Sequence, residues 1–315
     1  MRDSHGGIEY AQKLCEYAQD RGIRILPGVG INSYGGIYYE GEHPFNLETW
    51  LRKHPELCAV DGNGQPVFAR TKAGAGIRSI ACPSKEENIQ WQVDGVHWLF
   101  ENFKIGGVEF ESGDYGVCQC EESRRFGERE RRISFEDMAG VYPPVVRAAH
   151  DCAEDAWLLY FTYRSFTREM MASPPKFVQT IPDYAMCVWT IDRPRTCAEF
   201  PCLALDETRY REAIPPAKRN LGFCPYGSSF LRDEGENYVT QIKKASQMAR
   251  STGLEGLLMY GEFWDEANRI NYLALKAFSE NPDLSLGDFV SDFLPCLCAG
   301  NKPPKELVEK LLHSS

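Results

Sequence analysis

No run of 18 apolar residues occurs in this 315-residue chain, which removes the simplest membrane-spanning helix. Basic charge is in deficit: 35 Lys and Arg stand against 45 Asp and Glu, a formal net charge of -10. Nucleic acids and anionic membrane surfaces are bound through clustered cations, so neither is expected as a partner. Histidine is sparse. His5, His43, His54, His97, His150 and His313 show no paired ligand spacing, which disfavours a histidine-built metal hydrolase or lyase. The opening MRDSHGGIEYAQKL has neither the apolar region nor the cleavage site of a secretory signal. A soluble chain of undetermined compartment is the expectation.

What is present is ample apolar material, 43% of residues, enough for one large core. The simplest organisation is a single α/β domain over 1–298 with a charged tail over 299–315. Of the 12 cysteines, Cys15, Cys58, Cys82, Cys152, Cys187, Cys197, Cys202 and Cys224 lie scattered in apolar segments, where a free thiol acts as a small buried hydrophobe. Cys118/Cys120 and Cys296/Cys298 have C-x-C spacing, tighter than usual in structural zinc sites, and either pair alone supplies too few ligands. Neither a metal nor a cofactor is expected.

Helix-like and strand-like segments alternate along the chain, the mark of parallel βα units. Residues 8–21 read as an amphipathic helix ending at Gly22, followed by a buried strand over 23–31. From 43 to 83 the pattern is irregular and long for a loop. A helix over 84–103 opens on the cap Ser84-Lys85-Glu86-Glu87. Further helices are read over 134–153, kinked or split by Pro143 and Pro144, over 238–251, 268–279 and 286–294. Strands are read over 157–163, 185–191, 221–225 and 254–260. About six strands result, so the expectation is a TIM-type (β/α)8 barrel short of its first one or two βα units.

The segment GGVEFESGDYGVCQC, Gly106 to Cys120, carries the chemistry. Val108 and Phe110 alternate with Glu109 and Glu111, so a strand turns its apolar side chains one way and its acids the other. Acids near the C-terminal end of a parallel strand stand where barrel enzymes keep their reactive groups.

LPGVGINSYGG, ACPS before a helix, GGVEFESGDYGVCQC, and LLMYGEFWDEANRINYLALKAFSENPDLSLGDFVSDFL together resemble the catalytic barrel of a glycoside hydrolase. They are most similar to the loose group containing the α-glucuronidases and the family 20 and family 84 hexosaminidases. The resemblance runs from about Ile8 to Leu294 and implies cleavage of a glycosidic bond by carboxylic acids, without a cofactor, on a carbohydrate substrate. The sequence departs from that pattern in its missing opening strands and in Ser123, which stands where a third cysteine often completes a C-x-C-x-x-C run.

Glycoside cleavage asks for two carboxyl groups flanking the bond, one protonated and one ionised. Glu111, the last strand residue before a Ser-Gly-Asp turn, is the first candidate, with Asp114 just beyond it. Glu262, at the end of the last strand, is either the partner base, a holder of a sugar hydroxyl, or a helix cap. Glu109 reads as a structural acid paired with an Arg or Lys. Asn32 and Tyr34 are read as sugar contacts or turn residues. Tyr163, Trp189, Tyr260 and Trp264 at strand ends offer flat faces to sugar C–H surfaces, or pack in the core. A barrel that binds carbohydrate without cleaving it is the alternative.

Overall fold

The computed structural model describes residues 4–33, 35–37, 42–70, 77–111, 118–124, 135–161, 179–190, 219–224, 237–259, 261, 266–298 and 301–313. The chain belongs to the parallel α/β class; among the described residues, six strands make up its main sheet. It divides into two compact units, Met1–Tyr163 with Pro175–Cys187, and Arg164–Pro174 with Val188–Ser315. Among the described residues, no helix is long and apolar enough to cross a membrane.

In the first unit, α1 (Ser4–Gln19) leads to β1 (Gly28–Gly30), and α2 (Leu47–Lys53) follows. β2 (Phe68–Arg70) and β3 (Ile77–Ser79) form an antiparallel pair of their own. α3 (Glu86–Asn102) then feeds β4 (Gly107–Glu111). The short α4 (Glu121–Arg124) and the long α5 (Phe135–Cys152) precede β5 (Trp157–Phe161). β4 pairs in parallel with β1 on one side and β5 on the other. The alternation of α and β in the sequence therefore delivers the parallel sheet expected of it. The strand read over 23–31 is shorter than expected, because Pro27 has no N–H to give to a ladder. The antiparallel β2–β3 pair lies within the stretch read as irregular.

α3 carries Glu86 and Glu87 in its first turn, favourable at a helix N-terminus, and buries Trp91, Val96 and Leu99. Ser84 does not cap it. The N-cap is Lys85 without a side-chain bond, and the Ser84 hydroxyl instead meets Ser123 Oγ at 2.7 Å. α5 stays one helix through Pro143 and Pro144 rather than splitting. Val141, Tyr142, Val145, Val146 and Ala149 are buried along it, and its packing against α3 holds what local propensity disfavours.

The second unit contains β7 (Arg219–Cys224), α6 (Val239–Thr252), β8 (Gly256–Met259) and α7 (Glu266–Glu280). β6 (Met186–Thr190) spans the division between units. β7 and β8 are parallel, and α6 packs against α7. α6 ends on Gly253 at φ 78, a left-handed cap whose N–H reaches the carbonyls of Ala249 and Arg250. Residues 286–298 wind through short α, π and 3-10 turns, and the tail carries α8 (Lys305–His313).

Candidate functional site

β4 presents two chemically distinct faces. Val108 and Phe110 are fully buried, with the Phe110 ring 6.4 Å from that of Tyr142 on α5 and the Tyr142 hydroxyl donating to the Phe110 carbonyl. Glu109 and Glu111 alternate with them, are half-buried, and occupy the other face of the strand. Register fixes their neighbours. Glu109 lies between Gly28 of β1 and Leu159 of β5, and Glu111 between Gly30 and Phe161. A methyl group on Gly28 would touch nothing within 4 Å, so open space adjoins Glu109.

Among the described residues Glu109 has no ion pair, and its register neighbours are a glycine and a leucine; the Arg or Lys expected beside it is not among the described residues. Burial alone acts on the carboxyl and raises its pKa above the ordinary 4.5, since desolvation penalises the charged form. Glu111 stands at the strand's C-terminal end, its carbonyl accepting the Ile31 N–H at 2.7 Å.

That bond places the residues after β1 beside the end of β4. Asn32 adopts φ 63, a left-handed conformation that asparagine tolerates better than most residues. It is 1% exposed, and its carbonyl accepts the Ala81 N–H at 2.9 Å. Its Oδ1 accepts from Gln92 Nε2 of α3 at 3.1 Å, while its Nδ2 has no partner among the described residues. A buried amide donor left unpaired is uncommon and costly, and it lies two residues beyond the register partner of Glu111.

Trp189 is fully buried on β6, its Nε1 donating to Asn220 Oδ1 at 2.7 Å. Asp114, Glu262, Tyr34, Tyr163, Tyr260 and Trp264 lie outside the described residues. A cleft of about 370 Å³, lined by Arg24, Lys104, Gly106 and Asp155 among others, sits where β4 and β5 begin, at the opposite end of the strands from Glu111.

A second cluster was not legible in the sequence. Cys82, Cys118 and Cys120 bring their sulfurs within 4.8 Å of one another. Cys82 Sγ lies 3.5 Å from Cys118 Sγ and 3.6 Å from Cys120 Sγ. Ser123 Oγ, on a fully buried residue, is 3.2 Å from Cys120 Sγ and 3.8 Å from Cys82 Sγ. Backbone N–H groups of Val60 and Ser123 donate to Cys118 and Cys120. Cys118 is held below the usual thiol range, first by the hydrogen bond it shares with Cys82, while that bond and burial push Cys82 up. The C-x-C pair was visible, but its third member stands 36 residues upstream of Cys118 and carries no spacing signal. Cys58, Cys187 and Cys224 are buried as expected, whereas Cys152 is exposed at the end of α5.

No protein-family model matches the chain, and no curated protein matches it. Among solved structures it is similar to α-L-fucosidase isoenzyme 2 from Paenibacillus thiaminolyticus, with a TM-score of 0.49 and 13% identity over 84% of this chain and 38% of that one. It is also similar to an α-amylase from Lactobacillus plantarum, with a TM-score of 0.41 and 10% identity over 79% and 53% of the two chains. Chitobiase from Flavobacterium johnsoniae gives 0.43 and 11% identity over 96% and 46%. The chain spans 38% to 53% of the lengths of these three.

Proposed function

We propose that this chain is a glycoside hydrolase in which carboxyl groups at the C-terminal end of β4 act on a glycosidic bond. The observation that carries the reading is the pair Glu109 and Glu111, which project from one strand face, the first beside the open space at Gly28 and without an ion pair among the described residues. Glycoside cleavage needs one protonated and one ionised carboxyl group, and unequal surroundings are how two acids come to differ in protonation. Glu109, favoured in its neutral form, is the proton donor. Glu111, nearer the strand end, is the ionised partner. Asn32 supports the assignment as a positioning residue, because its bond to Gln92 of α3 holds the turn after β1 beside the end of β4. Asp114, Glu262 and the aromatic residues Tyr34, Tyr163, Tyr260 and Trp264 enter on their sequence positions alone.

The test is hydrolysis of a panel of aryl glycosides by the parent chain and by Glu109→Gln, Glu111→Gln and Glu262→Gln. Loss of turnover in the two β4 variants, with folding intact by circular dichroism, supports the assignment. Parent-like rates in both would overturn it. A parent that is inert yet binds oligosaccharide would make this a carbohydrate-binding chain instead.

A further inference from the structure

We propose that Cys82, Cys118 and Cys120 are three sulfur ligands of a tetrahedral site for one zinc-class divalent cation, with the Ser123 hydroxyl in the fourth position. The cluster shares no residue with the carboxylate site and stands or falls independently of it.

The distances carry the argument. Four ligands around zinc at Zn–S of about 2.3 Å hold their sulfurs about 3.8 Å apart, and a Zn–O of about 2.1 Å puts oxygen about 3.6 Å from each sulfur. The observed separations fall close to those figures: 3.5 and 3.6 Å from Cys82 Sγ to the other two sulfurs, and 3.2 and 3.8 Å from Ser123 Oγ to Cys120 and Cys82 Sγ. A disulfide would bring two sulfurs to about 2.05 Å, far inside these separations. A trigonal three-sulfur site would spread them wider than a tetrahedral one.

The surroundings suit a bound cation. Cys82 and Cys118 are almost wholly buried, so a charged thiolate there needs compensation, and a metal supplies it. Donors from the Val60 and Ser123 backbones already face two of the sulfurs, as groups around a metal-bound thiolate do. Ser84 Oγ reaches Ser123 Oγ at 2.7 Å and fixes the hydroxyl in place. Lys85, ion-paired to Glu122 at 3.5 Å, lies near enough to Cys82 and Cys120 to feel their charge. Binding releases the thiol protons to solvent, and no electrons move.

The site would be structural. Cys82 follows Ile80, whose carbonyl takes the Ala59 N–H, and Gln119 between the paired cysteines gives its N–H to Val60. One ion there ties the stretch before α3 to the stretch that leads into α4.

Purify the full chain under reducing conditions and measure zinc by inductively coupled plasma mass spectrometry, then exchange it for cobalt. The expected result is one metal per chain, with sulfur-to-cobalt charge transfer and ligand-field bands of tetrahedral geometry. Cys82→Ser and Cys118→Ser should each drop the metal to background, while Cys296→Ser, in the other C-x-C pair, keeps it. Should the serine variants not fold, thiol counting on the parent decides: a chelator must expose three thiols beyond those reactive in the metal-bound folded chain. A metal-free parent under zinc-replete conditions, octahedral cobalt, metal retained in both serine variants, or no thiols gained on chelation would each overturn the site.

Discussion

Gln92, inside α3, donates through Nε2 to Asn32 Oδ1 at 3.1 Å, joining two fully buried amides across 60 residues of chain. The bond fixes the turn after β1 to the helix that leads into β4, and so sets where the unpaired Asn32 amide stands relative to the acids.

Asn32→Ala and Asn32→Gly both delete that bond, but only alanine also bears the left-handed backbone. The alanine variant should therefore be less stable than the glycine variant by about 1 kcal/mol. Urea denaturation of the pair checks this, and equal midpoints would mean that φ 63 is not maintained in solution.

Glu109 predicts a pH dependence of known sign. Burial favours its protonated form in the folded chain, so the folded state retains a proton that the unfolded state releases near 4.5. Stability then falls as pH rises from that value through the higher folded one, and remains lowered above it. Glu109→Gln should lose this component and gain stability relative to the parent towards neutral pH. Denaturation midpoints of both chains across a pH series test it; parallel curves would remove the raised carboxyl.

The two glycines beside the acids should respond in opposite ways. A Cβ on Gly107 would overlap the backbone of Trp157, so Gly107→Ala should cost about 3 kcal/mol or more and disturb the β4–β5 pairing. Gly28→Ala should change stability by no more than about 0.5 kcal/mol. Gly28→Leu should fill the space beside Glu109 and depress turnover while the chain still folds. Thermal melts alongside aryl glycoside assays separate the three.

Trp189 gives its indole N–H to Asn220 within a fully buried setting. Trp189→Phe should lower stability by about 1–3 kcal/mol through the lost bond to a buried group, and leave KM for a glycoside unchanged. A raised KM with unchanged stability would instead make it a substrate contact.

Much of the local structure was legible because it rests on short-range rules. The boundaries of α3 to within two or three residues and the two-faced alternation of Val108, Glu109, Phe110 and Glu111 follow from helical periodicity and the strand period of two. Where local preference met tertiary packing, packing prevailed: α5 runs unbroken through Pro143 and Pro144 because its apolar face is buried. Ser84 looks like a helix cap in the sequence, yet in the fold it bonds Ser123.

By itself, the sequence determined that strands and helices alternate, that β4 bears acids on one face, and that no local motif holds enough metal ligands. Only the tertiary structure decided that Glu109 stands between Gly28 and Leu159 in the register, and that Cys82 joins Cys118 and Cys120. Both depend on which distant segments become neighbours. Periodicity tells which way a side chain points, but the strand register and the packing of remote loops tell what it meets.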